Sequence, residues 1–316
     1  MAIGGYFELE LPVNREYHET AIRLNTGRNA LEYILKANAI QKLYIPYFTC
    51  DVLLEPLEKL HIPYSFYPID KNMLPLFSEE IKENEALLYT NYFGVFTTQV
   101  KEILQKYPRV IVDNAQAFFA PPVPNTDCFY SARKFFGVPD GAYVYCTHQL
   151  NEEIAQDESY NRYTYLVGRM EKGAENYFAE YKKINSSLSK QAIKQMSFST
   201  QRLLQSIDYQ NIISKRKSNF SLLHKSLGDT NMFPLHAMST DDVPMVYPYT
   251  IPQGSELKKY LIANNIYVAT YWPNVLTWCT EDSWEYFLAN HTVFIPIDQR
   301  YGTEDMEKIL QLIEST

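Results

Sequence analysis

A chain of 316 residues with 46% hydrophobic and 21% charged side chains has ample core for one large domain plus a smaller one. Its formal net charge of −8 argues against a nucleic-acid-binding surface and against attachment to anionic membrane, although a local pocket can still hold a phosphate. The cysteines, Cys50, Cys128, Cys146 and Cys279, are widely spaced and no histidine cluster lies near them, so neither a disulfide framework nor a metal site is expected. The N-terminal segment has no basic region followed by a long apolar stretch, and no apolar run approaches the roughly 18 residues of a membrane span. A cytoplasmic protein is the expectation.

In chain order, the first signal is Asn25-Thr26-Gly27-Arg28-Asn29-Ala30-Leu31, which opens a helix. Thr26 is placed to cap it, and Gly27 lets backbone N–H groups approach an anion at the positive end of the dipole. Arg28 either adds a charge-assisted bond to a phosphate or faces solvent. Strand-like runs follow at Leu43–Pro46, Tyr64–Tyr67, Leu87–Thr90, Val110–Val112, Cys128–Tyr130 and Ala142–Cys146, separated by stretches of helical period. Leu31, Ile34 and Leu35 share one helical face, as do Leu53, Leu57 and Leu60. This alternation predicts an α/β fold with a mostly parallel sheet between helices. Ligands of such sheets sit beyond the carboxyl ends of the strands.

From about Leu150 the chain turns helical and polar, and Thr200–Leu227 reads as one long helix. Strand candidates at Val246–Ile251 and Tyr267–Thr270 then precede a final helix with Thr303 as its N-cap. The expected division is a large domain over 1–215 and a small C-terminal α/β domain over 216–316.

Two segments carry the chemistry. Val110-Ile-Val-Asp113 is a β-branched run ending in a carboxylate, and Lys134 follows 21 positions later in a small turn, Ser131-Ala-Arg-Lys-Phe-Phe-Gly137. A strand-borne acid and a turn-borne lysine are what pyridoxal phosphate chemistry requires. The lysine holds the cofactor as a Schiff base and the acid keeps the pyridine nitrogen protonated. Each residue also has a plainer reading: Asp113 as a strand-ending cap, Lys134 as a solvated charge. Gln116 is a surface amide or a partner of the cofactor's phenolic oxygen. Ser131 is a turn hydroxyl or a phosphate donor. Asn91, in the Asn91-Tyr-Phe-Gly94 turn, either faces the same crevice or closes an Asx turn. The aromatic neighbours Phe129, Tyr130, Phe135 and Phe136 predict a crowded, partly buried Lys134.

These motifs resemble the DegT-type sugar aminotransferases among the fold-type I pyridoxal phosphate enzymes. Thr26-Gly-Arg-Asn-Ala-Leu31 is similar to that family's phosphate turn, and Ile45-Pro-Tyr-Phe-Thr49 to its Pro-x-x-Thr-aromatic strand end. Asn91-Tyr-Phe-Gly94 sits where members have a His-x-Tyr-Gly turn. Asp113-x-Ala-Gln-Ala117 matches the Asp-x-Ala-Gln-Ala motif, and Lys134 falls in the place of the Schiff-base lysine. The resemblance implies pyridoxal 5'-phosphate as cofactor, with Asp113 on the pyridine nitrogen, Gln116 near the phenolic oxygen, and Ser131 with Thr26–Arg28 on the phosphate. It also implies glutamate as amino donor, a keto group on a nucleotide-linked sugar as acceptor in polysaccharide or antibiotic biosynthesis, and a homodimer with shared active sites. Cys50 stands where members place the aromatic that covers the cofactor ring, which leaves Tyr47 or Phe48 as substitutes, or a ring covered in another way. Asn185 is the candidate for the asparagine that crosses the dimer in members. Two other readings remain at this stage, a dehydratase or lyase using the same cofactor and a non-catalytic binding protein on the same fold.

Overall fold

The computed structural model describes residues 3–235 and 238–315; Met1 and Ala2 of the N-terminal segment read above lie outside them. Helix α1 (Gly27–Ala37) starts where Thr26 stays extended and its hydroxyl accepts from Asn29 N at 3.2 Å. The helix buries Ala30, Leu31, Ile34 and Leu35 on one face, as their spacing requires. Seven strands build the main sheet: β1 (Ile22–Leu24), β2 (Lys42–Pro46), β3 (Tyr64–Tyr67), β4 (Glu85–Thr90), β5 (Val110–Asn114), β6 (Asp127–Ser131) and β7 (Ala142–Tyr145). Their order is β1-β7-β6-β5-β4-β2-β3, parallel from β6 through to β3; β7 pairs antiparallel with β6, and β1 antiparallel with β7, so β1 again runs with the main set. The expected mostly parallel α/β sheet is therefore present.

Alternation along the strands separates two cores. Leu43, Ile45, Ala86, Leu88, Ile111, Phe129, Ala142 and Val144 face α1 and α2 (Leu54–Leu60). Tyr44, Leu87, Tyr89, Val110, Val112, Cys128, Tyr130 and Tyr143 face the opposite layer, which includes α3 (Thr97–Lys106) and the C-terminal region. There, β8 (Val246–Thr250) and β9 (Thr292–Pro296) form an antiparallel pair, and Thr250 and Thr292 share a hydroxyl hydrogen bond of 2.8 Å. Helices α8 (Gly254–Ala263), α10 (Trp284–His291) and α11 (Thr303–Glu314) belong to this part. No helix among the described residues is long and apolar enough to cross a membrane.

Local structure differs from the sequence reading in several places. The long helix is two: α6 (Phe198–Gln205) ends, and α7 (Tyr209–Leu227) restarts because Asp208 accepts from Asn211 N at 3.0 Å. Helix α7 then runs unbroken through residue 215. Residues 267–270 are not a strand; only Ala269 bridges to Phe294. Gly302, not Thr303, caps α11, since Asp305 accepts from Gly302 N at 2.9 Å. Strand β1 is too short to show a period.

The turn after β4 depends on Gly94, at φ +70°, where a Cβ would lie 2.6 Å from Val243 O and 3.1 Å from Gln116 O. Both are backbone atoms that cannot swing away. Gly94→Ala is expected to lower unfolding stability by about 2–4 kcal/mol, combining left-handed strain with overpacking. Urea titration of the variant against wild type measures it, and a change within 0.5 kcal/mol, roughly the scatter of a neutral surface substitution, contradicts it.

Candidate active site

The carboxyl ends of β2, β4, β5 and β6 converge on one edge of the sheet. Register places Asp113 beside Thr90 of β4 and Phe129 of β6. Asp113 is buried, and its Oδ1 accepts from Ala115 N at 2.8 Å. Burial raises its carboxyl to about 6, against the opposing pull of the Ala115 amide and of the positive charge of Lys134. The acid and the lysine are thus electrostatic neighbours, although they belong to different strand ends.

Lys134 closes a short 3-10 turn, Ala132–Lys134, directly after β6. The turn is held from behind by Gln299, whose Nε2 donates to Phe135 O at 2.8 Å. The expected crowding of the lysine does not occur. Phe135 and Phe136 turn into the core against Phe118, and Phe129 lies on the opposite sheet face. In so tight a turn successive side chains diverge, so neighbours in sequence are not neighbours in space. Lys134 is exposed, with its ammonium 5.6 Å from the ring centre of Tyr271.

Around this pair lie polar atoms that the protein leaves without partners. Thr49 Oγ1 follows β2, Thr90 Oγ1 and Asn91 Oδ1 end β4, and Gln116 Nε2 follows β5; all are buried and accept or donate nothing. Buried polar groups are normally paired, and each orphan costs about 1–3 kcal/mol. These four belong to strand ends or the residues after them, at the carboxyl edge of the sheet, where ligands of such folds sit. Asn91 and Gln116 are only half engaged: Asn91 Nδ2 donates to Asn114 Oδ1 at 3.1 Å, and Gln116 Oε1 accepts from Phe93 N at 3.3 Å.

At the start of α1, the Thr26 hydroxyl donates to Asn29 Oδ1 at 2.7 Å as well as capping the helix. A Cβ on Gly27 would meet no atom within 4 Å, so the space over the first turn is open. Arg28 neither faces solvent freely nor stands unpaired; its Nε lies 3.5 Å from Glu55 of α2. Ser131 is half-buried at the end of β6, opposite Ala142, and its side chain caps nothing. Cys50 lies within reach of the charge of Lys134, which opposes the upward push of burial on its thiol. Neither substitute aromatic is at liberty: Tyr47 stacks on Phe66 at 4.8 Å, and Phe48 is buried against Tyr92 and Trp272. Asn185, on α5 (Phe178–Ser187), accepts from Arg133 Nη1 of its own chain at 3.2 Å.

Tertiary structure adds residues that no motif indicated. Asn274 Nδ2 donates to Thr49 O at 2.9 Å, fastening the C-terminal region to the end of β2. Arg216 of α7 is buried at 1% exposure, stacks 4.7 Å from the Phe135 ring centre, and donates to Met245 O at 2.9 Å. Burial pushes its guanidinium down to about 10. With Tyr271 and Gln299, these residues come from far along the chain, and isolated polar residues in helices and loops give no sequence signal.

No protein-family model matches the chain, and no curated protein is similar to it in sequence. Solved structures are similar in fold. The sugar aminotransferase CalS13 from Micromonospora echinospora aligns at TM-score 0.62 and 12% identity, covering 93% of this chain and 87% of its own. A DegT DnrJ EryC1 StrS aminotransferase from Brucella abortus aligns at 0.58 and 13%, covering 93% and 85%. DesI, solved in the presence of its TDP-sugar product, aligns at 0.62 and 12%, covering 93% and 80%. A mostly parallel seven-stranded sheet with a polar carboxyl edge, matched over 93% of the chain, gives this protein the fold of the DegT/DnrJ/EryC1/StrS-type sugar aminotransferases.

Proposed function

We propose that the protein is a pyridoxal phosphate-dependent aminotransferase that moves an amino group from glutamate to a keto group of a nucleotide-linked sugar. The carrying observation is the buried Asp113 under the influence of the Lys134 charge, at an edge where four buried polar atoms lack protein partners. That donor set fits the cofactor. Asp113 suits a protonated ring nitrogen, Gln116 Nε2 a phenolic oxygen, and the open turn over Gly27 with Ser131 a phosphate. Thr26 contributes by capping the turn and Arg28 by its charge beside Glu55. Asn91 and Cys50 complete the wall near the ring. The nucleotide-linked acceptor is supported by the TDP-sugar product of the similarly folded DesI. Residues 1–215 supply the cofactor-binding part, and 216–316 bring Tyr271, Asn274 and Gln299 to it.

When bound, the cofactor supplies a ring that accepts the electron pair left as the donor loses its α-proton. Lys134 would tether the cofactor, and its Nζ would be the base that takes that proton and returns it. Asp113, ionised, keeps the ring nitrogen protonated. A homodimer is part of the proposal because the single chain leaves Lys134 open. Large apolar side chains farther along the chain are also bare: Met170 of α4 (Thr164–Lys172) is 80% exposed and Phe198 of α6 is 69% exposed. A second copy is the occupant we propose for this apolar surface.

Lys134→Ala should abolish the cofactor adduct that borohydride fixes and lower turnover by about a thousandfold or more. Peptide mass spectrometry and a glutamate-dependent transamination assay read both effects. A variant that turns over near-normally removes the assignment, and wild type that forms no adduct favours a non-catalytic binder. Asp113→Asn should act in opposite directions on activity and stability. The raised folded-state value means that the folded chain holds this proton more tightly than the unfolded chain. That contribution is complete at acid pH and is lost as pH rises through about 6. Cofactor-free Asp113→Asn should therefore be more stable than wild type at pH 7.5, by about 1–3 kcal/mol, while losing most activity. The stability difference should vanish below about pH 4. Denaturant curves at the two pH values decide, and an Asn variant no more stable at pH 7.5 would show that Asp113 is not strained by burial. Met170→Glu combined with Phe198→Glu should yield monomers in sedimentation; an unchanged oligomer would place the interface elsewhere.

A further inference from the structure

We propose that Tyr271 is a positioning residue that holds the Lys134 amine against the face of its ring. This rests on the reading of Lys134 as the working amine and extends it to the C-terminal part of the chain. The Lys134 ammonium lies 5.6 Å from the Tyr271 ring centre, within the distance at which a ring face attracts a cation. Among the described residues no carboxylate pairs with that ammonium. An exposed lysine with no ion pair samples many rotamers; Asp113 attracts it at longer range, and the one aromatic face in contact holds its amine in place.

The ring itself has little freedom. Phe294 of β9 meets it edge-on at 4.9 Å, Phe93 packs at 5.8 Å and Trp272 at 5.9 Å. Phe93 belongs to the strained turn after β4, so the ring is braced by both parts of the molecule. Trp272 and Phe294 are fully buried core residues, whereas Tyr271 stays half-buried on the side of Lys134. Burial keeps the phenol neutral by pushing it up, with the Lys134 charge opposing. The groups facing the ring electrostatically are Lys134, Cys50, Tyr181 and Arg216. Arg216 stacks on Phe135 at 4.7 Å and adds its positive charge to that of Lys134 at the Tyr271 phenol. A cation–ring attraction of ordinary strength favours the ring-held position of the amine by about two- to fivefold.

The test uses cofactor-free protein, so it reads the contact without relying on transamination. Trace acetylation of Lys134 by acetic anhydride at pH 8, quantified by peptide mass spectrometry, is compared among wild type, Tyr271→Phe and Tyr271→Leu. Leu keeps bulk but loses the π face, and should acetylate about two- to fivefold faster. Phe keeps the face and should match wild type. Equal rates in all three proteins overturn the proposal, and Phe behaving as Leu shifts the effect to the hydroxyl and also overturns it. Thermal melts check that the variants fold; if Leu does not, Tyr271→Met provides the same contrast. Retained turnover in Lys134→Ala would defeat the aminotransferase reading while leaving this acetylation contrast in place.

Discussion

A carboxylate buried at the end of a central strand is tolerable only if something positive answers it, and much of the candidate site follows from that constraint. Strand β5 carries Asp113 to the sheet edge because Val110, Ile111 and Val112 are packed on both faces and leave the chain no other exit. One answer is the Ala115 amide at 2.8 Å; the other is the charge of Lys134. Neither abolishes the desolvation, so the carboxyl stays raised to about 6. The site thus has spare capacity for a further cationic group, such as the ring nitrogen of the proposed cofactor, placed directly against the acid.

The same economy recurs in the orphaned atoms. Thr49, Thr90, Asn91 and Gln116 leave buried polar capacity unused where the parallel strands end. A protein that folds with several such groups unpaired forgoes a few kcal/mol of stability on the scale of ordinary hydrogen bonds. That sacrifice is intelligible where a ligand with several oxygens and a nitrogen completes the pairing. The C-terminal region contributes by fastening: Asn274 ties to Thr49 O, Gln299 to Phe135 O, and the Phe93–Trp272–Phe294–Tyr271 aromatic cluster joins the two parts. The lysine turn is therefore shaped by residues more than 130 positions away along the chain.

The strands were legible because β-branched and aromatic runs of four to six residues, separated by helical periods, have few alternative folds. The Thr26 cap and the Gly94 turn were legible because each needs a residue with special backbone or hydrogen-bonding properties. The break between α6 and α7 was hidden by an apolar period that continues through it, with Leu203, Leu204 and Ile207 before and Ile212 after. A capping aspartate, Asp208, overrode that period. The crowding expected of Lys134 failed for a different reason. Sequence neighbours were counted as spatial ones, whereas a 3-10 turn sends Phe135 and Phe136 inward and the lysine outward.

By itself the sequence determined the alternating sheet, the acid at the end of β5, the lysine in the turn after β6 and the glycine over α1, since these depend on local propensity and spacing. Only the tertiary structure decided what surrounds them. Burial of Asp113, pairing of Arg28 with Glu55, engagement of Tyr47 and Phe48 elsewhere, and the arrival of Tyr271, Asn274 and Arg216 all depend on contacts between distant segments. Such contacts are set by packing of whole layers, and packing has no signature in any short stretch of chain.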